Sequence, residues 1–270
     1  MSRSSLALAT ALLAAVMTAP SAEAHRAWIL PSSTILSGKD PWITVDAAVS
    51  NELFVFEHRP LRLDSLTVIG PSGDIVAVEN QASGRLRSSF DLRLASAGTY
   101  RIAVAGGGYS ARYKLAGETK RWRGSKAELA AAIPAGAEDI VIARFHSRTE
   151  SFVTSGAPTW EALAPTGKGL EMKPITHPND LFAGEPAVFQ FLNDGKPVSG
   201  LAVELVPGGI RHRDHLQAKR LTTDAEGRIT VTWTEAGIYW VGASLSDDTP
   251  DADGAVRRSR YSATLEVLPQ

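Results

Sequence analysis

An all-β fold of two sandwich domains is predicted for this chain by three features. Short runs of alternating or β-branched residues recur along it, turn residues separate them, and only one segment carries helical signals. The spacing of the runs fits immunoglobulin-like or prealbumin-like sandwiches.

The chain opens with a segment of different character. Arg3 precedes an uncharged apolar run from Leu6 to Ala19, and "PSAEA" then ends in a small-x-small pattern at Ala24. This is the grammar of a secretory signal peptide, and the run is shorter than the roughly 20 residues a membrane-spanning helix needs. Residues 1–24 are therefore read as a signal peptide cleaved after Ala24, with the periplasm as destination and no stable membrane insertion after cleavage.

The strands follow in order. "WITVDAAV" from Trp42 is rich in β-formers, and "SLTVIGPSGDIVAVEN" places two such runs around the turn Pro71-Ser72-Gly73-Asp74. In "RLRSSFDLRLA", Leu86, Phe90, Leu92 and Leu94 alternate with polar neighbours, with Ser88 the one lapse. "AGTYRIAVAG" leads into a strand through a glycine turn. "GSKAELAAAIPAG" is the one helical segment, with Ser125 as N-cap, Glu128 completing a capping box, and Pro134 and Gly136 as stops. "IVIARFHSRTESFVTSG" returns to strand and closes a first domain over residues 25–157.

Residues 158–173, rich in Pro, Gly and Ala, are read as a linker. A second domain over residues 174–270 then carries turns at Asn193-Asp194-Gly195 and Asp224-Ala225-Glu226-Gly227 between β-rich runs. Both halves lead into a strand through a Gly-x-Tyr sequence, Gly98-Thr99-Tyr100 and Gly237-Ile238-Tyr239.

Composition narrows the function. The chain of 270 residues has a net charge of −1, which argues against a nucleic-acid or anionic-membrane partner. It contains no Cys, so an exported protein gains neither disulfides nor thiolate chemistry. No Gly-x-Ser-x-Gly elbow, phosphate-binding loop, dinucleotide fingerprint or Asp-rich calcium loop is present, and a non-enzymatic role is expected.

Histidine is the remaining soft ligand. Cleavage after Ala24 makes His25 the new N-terminus, where its α-amine and imidazole Nδ1 together chelate one metal ion. A further imidazole completes a three-nitrogen set suited to Cu(II) and compatible with Ni(II). His58 in "FEHRPL" and His177 in "ITHPNDL" each precede a proline-fixed extended turn, where ligand sites collect. His146 in "ARFHSRTE" alternates with Phe145 and points away from it on a strand. His25, His58, His177 and His146 are the candidate metal ligands. His212 and His215 in "RHRDH" read instead as part of a solvated basic loop.

The segments "AHRAWILPSS", "DAAVSNELF", "HPNDLFAGEPAVFQFLNDGKPVSGLAVELVPGG" and "TTDAEGRITVTWTEAGIYWV" together resemble a family of exported bacterial proteins known as a domain of unknown function. That family is linked to the periplasmic component of nickel/cobalt uptake systems. The resemblance covers nearly the whole mature chain. It implies binding of a divalent transition metal (Ni, Co, Cu or Fe) in uptake or delivery, with His25 as a ligand and His177 as a further one, and with separate membrane transport subunits as partners. The alternative is an interaction module that docks a membrane transporter or receptor without metal. A copper oxidase acting on polysaccharide through an N-terminal His needs aromatics around the metal, and only Trp28 is near His25 in sequence.

Overall fold

The computed structural model describes residues 25–270, so the signal peptide expected over residues 1–24 lies outside the described residues. In the first half the strands are β1 (Arg26–Pro31), β2 (Ile35–Leu36), β3 (Trp42–Ser50), β4 (Arg59–Pro60), β5 (Leu66–Ile69) and β6 (Ile75–Val76). They continue as β7 (Glu79–Ser83), β8 (Ser88–Arg93), β9 (Gly98–Leu115) and β10 (Glu118–Gly124), then helix α1 (Lys126–Ala132) and β11 (Glu138–Ser155). The second half contains β12 (Leu170–Pro174), β13 (Pro186–Asn193), β14 (Lys196–Pro197) and β15 (Ala202–Pro207). It ends with β16 (Lys219–Thr222), β17 (Arg228–Thr232), β18 (Gly237–Asp247) and β19 (Ala255–Val267).

These strands form an all-β architecture of three sheets. A five-stranded sheet runs β1-β3-β8-β7 with β4 on β3, and a four-stranded sheet runs β12-β13-β14 with β17 on β13. Between them lies a ten-stranded sheet in the order β16-β15-β18-β19-β11-β9-β5-β6, joined by β10 on β9 and β2 on β11. That sheet belongs to both halves, because β11 pairs in parallel with β19 from Ile142↔Ala255 to Ser151↔Thr264.

Each half closes a sandwich over its own core. Val45, Phe90, Leu92, Ile102 and Val153 fill the first, and Phe189, Phe191, Val203, Val241 and Leu265 fill the second. Alternation on β3, β8, β13 and β17 puts these side chains on one face each, and each fully buried Val, Leu or Phe contributes about 1.5–3 kcal/mol. The two Gly-x-Tyr sequences are the same device used twice. Gly98 (φ +127°) and Gly237 (φ +144°) take backbone that side chains disfavour, and the tyrosine hydroxyls of Tyr100 and Tyr239 donate back to the carbonyls of Ser96 and Glu235, each at 2.8 Å.

Residues 158–173 are packed rather than a spacer. Ala162 and Leu163 are buried in a 3-10 turn (Glu161–Leu163), and β12 starts at Leu170. Arg101 and Arg148 donate to the Ala164 carbonyl and the Thr166 hydroxyl, while Glu171 accepts from the N–H groups of Thr166 and Gly167. Pro and Gly here shape a tight bonded path instead of a free one. Helix α1 starts as its sequence predicts, with Glu128 accepting from the Ser125 N–H at 2.8 Å.

A third cluster ties the halves together at β1. Trp28, Ala48 and Leu53 meet Val206 and Trp240 there, with Phe54, Phe56, Ile210 and Leu216 packed around them.

Candidate functional site

The head of β1 and the loop before β4 converge at one end of β3. Strand β1 pairs with β3 as far as Arg26↔Ser50, and β4 pairs with it on the other side at Val49↔Arg59. His25 and His58 each stand one residue outside those ladders. Their rings stack, with centroids 3.8 Å apart and planes 13° from parallel. Both residues are exposed.

Packing fixes the supports beneath this pair. The Trp28 indole N–H donates to Ser50 Oγ at 2.8 Å, and that hydroxyl donates to the Glu52 carbonyl at 2.6 Å. Phe54 and Phe56 lie against the Trp28 ring at 5.5 and 5.4 Å, and Phe54 takes a left-handed φ of +64° to turn the loop. Glu57 Oε1 accepts from the N–H groups of Asn51 (2.5 Å) and Glu52 (3.1 Å). Those backbone bonds, helped by the nearby His58, hold the Glu57 carboxyl below its usual range.

The second half clamps β1 from the other side. The Ala27 carbonyl accepts from Trp240 Nε1 at 2.9 Å and from Ser262 Oγ at 3.1 Å. Arg26 pairs with Glu204 at 3.2 Å and lies 5.5 Å from the Trp240 ring centroid. The peptide that carries His25 is therefore held by both sandwiches, while its ring stays in solvent.

Chemically the pair offers two imidazoles on a rigid base. Stacked rings point their nitrogen lone pairs outward in parallel planes, so chelation of one ion turns a ring out of the stack. Exposure leaves that rotation open. Among the described residues no three His, Cys, Asp or Glu side chains gather to hold a metal. A three-donor set at this pair would need a donor from outside the side chains.

His177, the third candidate ligand, stands apart from this pair and is held within the fold. It is 5% exposed, and both ring nitrogens are engaged. Nδ1 accepts from the Asn179 N–H at 3.1 Å, and Nε2 lies 3.0 Å from Thr99 Oγ1 and 3.1 Å from the Thr159 carbonyl. No lone pair is left for an ion. Burial lowers its pKa, against the raising effect of the Thr159 bond.

His146 does not join the pair either. It lies on β11, where its buried Nδ1 has no hydrogen-bond partner and its ring abuts Gly169 of the second half. Desolvation, reinforced by Arg148, lowers its pKa. His212 and His215 are exposed on a loop that Ile210 and Leu216 fasten to the Trp28 cluster. The acidic loop is committed elsewhere: Asp247 and Asp248 pair with Arg257 and Arg258, and Asp253 with Lys126.

Sequence reasoning did not identify Trp28, Phe54, Phe56, Arg26 and Trp240 as the supports of the site. The available signal was the aromatic content of "HRAWIL" and "ELFVFEH", which reads equally well as ordinary core.

The model of a family described as Domain of unknown function (DUF4198) matches residues 22–247. No curated protein matches the chain. Among solved structures it is similar to the D0-D1 domain of intimin, at 14% identity over 89% of this chain and 97% of that one, with a TM-score of 0.23. It is also similar to a DUF4785 family protein from Legionella pneumophila, at 9% identity over 80% of this chain and 50% of that one, with a TM-score of 0.25. Among the described residues no helix is long and apolar enough to cross a membrane.

Proposed function

The chain belongs to the DUF4198 family, and we propose that it is an exported binding protein for a divalent transition metal. The ion is its cargo, held by the His25 α-amine, the His25 imidazole and the His58 imidazole. One observation carries this reading: the ring of the residue expected to open the mature chain lies 3.8 Å from a second imidazole 33 positions away (58 − 25), on a base pinned by both sandwiches.

The chemistry follows from the donors. In the unprocessed chain the His25 nitrogen is a peptide nitrogen and a poor ligand. Cleavage after Ala24 turns it into an amine with an unperturbed pKa of about 7.7–8.0, so deprotonation at neutral pH costs about 1 kcal/mol. Three nitrogens of this kind suit Cu(II) and Ni(II), while Co and Fe are weaker matches. Open coordination positions on an exposed site favour transfer over permanent storage. The proposed role is uptake or delivery in the periplasm, with membrane transport subunits as recipients, in line with the nickel/cobalt uptake role that the resemblance implies.

Calorimetric titration with Ni(II), Co(II) and Cu(II) tests the reading on three forms of the protein: one beginning at His25, one with an extra Met before it, and His58→Ala. The extra residue and the substitution are each expected to weaken binding at least about tenfold, or about 1.4 kcal/mol. Equal affinity in all three forms excludes the chelate.

A further inference from the structure

Strands β9 and β11 are each 18 residues long, and their outer ends run past the sandwich. Register places six cations there on one face of the ten-stranded sheet. Arg121 of β10 lies opposite Arg112 of β9, Arg123 opposite Ser110, and Thr119 opposite Lys114. Val141 of β11 lies opposite Arg112, and Phe145 opposite Gly108. In β19, Arg258 and Arg260 continue the same face beside Phe145 and Ser147. Paired and i+2 residues share a face.

The two faces of this extension differ sharply. Tyr109, Ala111 and Tyr113, which alternate with the cations on β9, are buried on the side where α1 packs. Arg112, Lys114, Arg121, Arg123 and Arg260 are exposed. Among the described residues two of the six cations have acidic partners: Lys114 with Asp139 at 2.7 Å and Arg258 with Asp248 at 2.5 Å. Among the described residues Arg112, Arg121, Arg123 and Arg260 form no ion pair, and Arg123 instead lies over the Phe145 ring at 4.2 Å. Asp139 also lies close enough to Arg112 to feel its charge, but it is already bonded to Lys114.

Like charges directly opposite each other destabilise a sheet, so Arg112 beside Arg121 works against folding in the free protein. The cost disappears if carboxylates lie across the pair. Arginine outnumbers lysine here, and its planar fork suits bidentate carboxylate pairing. Exposed Ile140 (46%) and Val141 (40%) flank a shallow groove beside Arg112, giving an apolar contact within the basic field.

We propose that this basic face docks an acidic segment of a partner protein. Charge complementarity selects the occupant, and an acyl-chain membrane anchor is disfavoured because Phe145, the ring that stands among these cations, is capped by Arg123. The proposal is independent of the metal reading, since it uses neither His25 nor His58 and is tested without metal.

Fluorescence anisotropy of a labelled oligo-glutamate peptide, with oligo-glutamine as control, measures the interaction on the mature protein. Binding of the acidic peptide is expected to weaken at least about tenfold between about 50 and 500 mM salt. Arg121→Glu with Arg123→Glu is expected to weaken it by a similar factor, while Lys173→Glu on the four-stranded sheet leaves it unchanged. Arg112→Gln is expected to weaken binding and raise the melting temperature together, a combination that misfolding cannot produce. Binding indifferent to the arginine substitutions overturns the proposal. So does capture by phosphatidylserine vesicles without capture of the peptide, which would assign the face to lipid.

Discussion

His177 and His146 make stability depend on pH. Burial lowers the folded pKa of both below the ordinary imidazole value of about 6.5. The unfolded chain then binds protons first as pH falls through about 6.5, and stability drops by at most about 1.4 kcal/mol per pH unit for each group. The loss levels off below the folded pKa values, and above about 6.5 the contribution is fully present. Thermal melts from pH 8 to pH 5 are expected to show this decline, with a shallower slope in His177→Gln. Parallel slopes would remove His177 as a source. His177→Ala, which strands the Asn179 N–H and the Thr159 carbonyl, is expected to cost about 1–3 kcal/mol and to leave metal affinity unchanged. At this scale His25 was singled out by the local small-x-small pattern before it, and the structure adds only that its ring stacks on His58. His58 was legible only as one of several turn histidines, and nothing local distinguishes it from His177. What separates them is which loop ends up under Thr99 and Thr159, and that is decided by tertiary packing.

Individual elements show where local signals suffice. The capping box of α1 and the turns around β5 and β13 were readable because their causes lie within four residues. The Gly-x-Tyr pairs were visible as a likeness between the halves, but their meaning, a hydroxyl donating to a carbonyl four residues upstream, needed coordinates. Residues 158–173 show the opposite case: Gly and Pro content indicated a linker, whereas Gly169 is a close-packing point. Its φ is +66°, and a Cβ there would lie 2.1 Å from His146 Nδ1. Gly169→Ala is therefore expected to destabilise by about 1–3 kcal/mol through backbone strain and contact. His146→Ala in that background should restore part of the loss, which a double-mutant cycle of denaturant melts measures. Strictly additive effects would show that the ring does not cause the clash.

At the scale of the whole molecule, the two sandwiches share the ten-stranded sheet, and they are expected to unfold as one cooperative body. The parallel pairing of β11 with β19 joins residues more than 100 positions apart, such as Ile142 and Ala255, and no local pattern announces it. Trp240, buried among Trp28, Ala48 and Leu53 and bonded to the Ala27 carbonyl, holds that junction. Trp240→Ala is expected to cost about 3–5 kcal/mol and to lower one common melting transition in both halves. Two separated transitions in calorimetry would show that the halves unfold alone. A fragment of residues 174–270 leaves β19 as a long open edge and is expected to aggregate. The same junction sets the position of His25, the residue on which the proposed processing and the proposed metal capture both depend. X-ray absorption of the Cu(II) complex of protein beginning at His25 reads that dependence most directly. Two imidazole rings at the copper are expected, falling to one in His58→Ala; a single ring in both proteins, or none, would contradict chelation by the stacked pair.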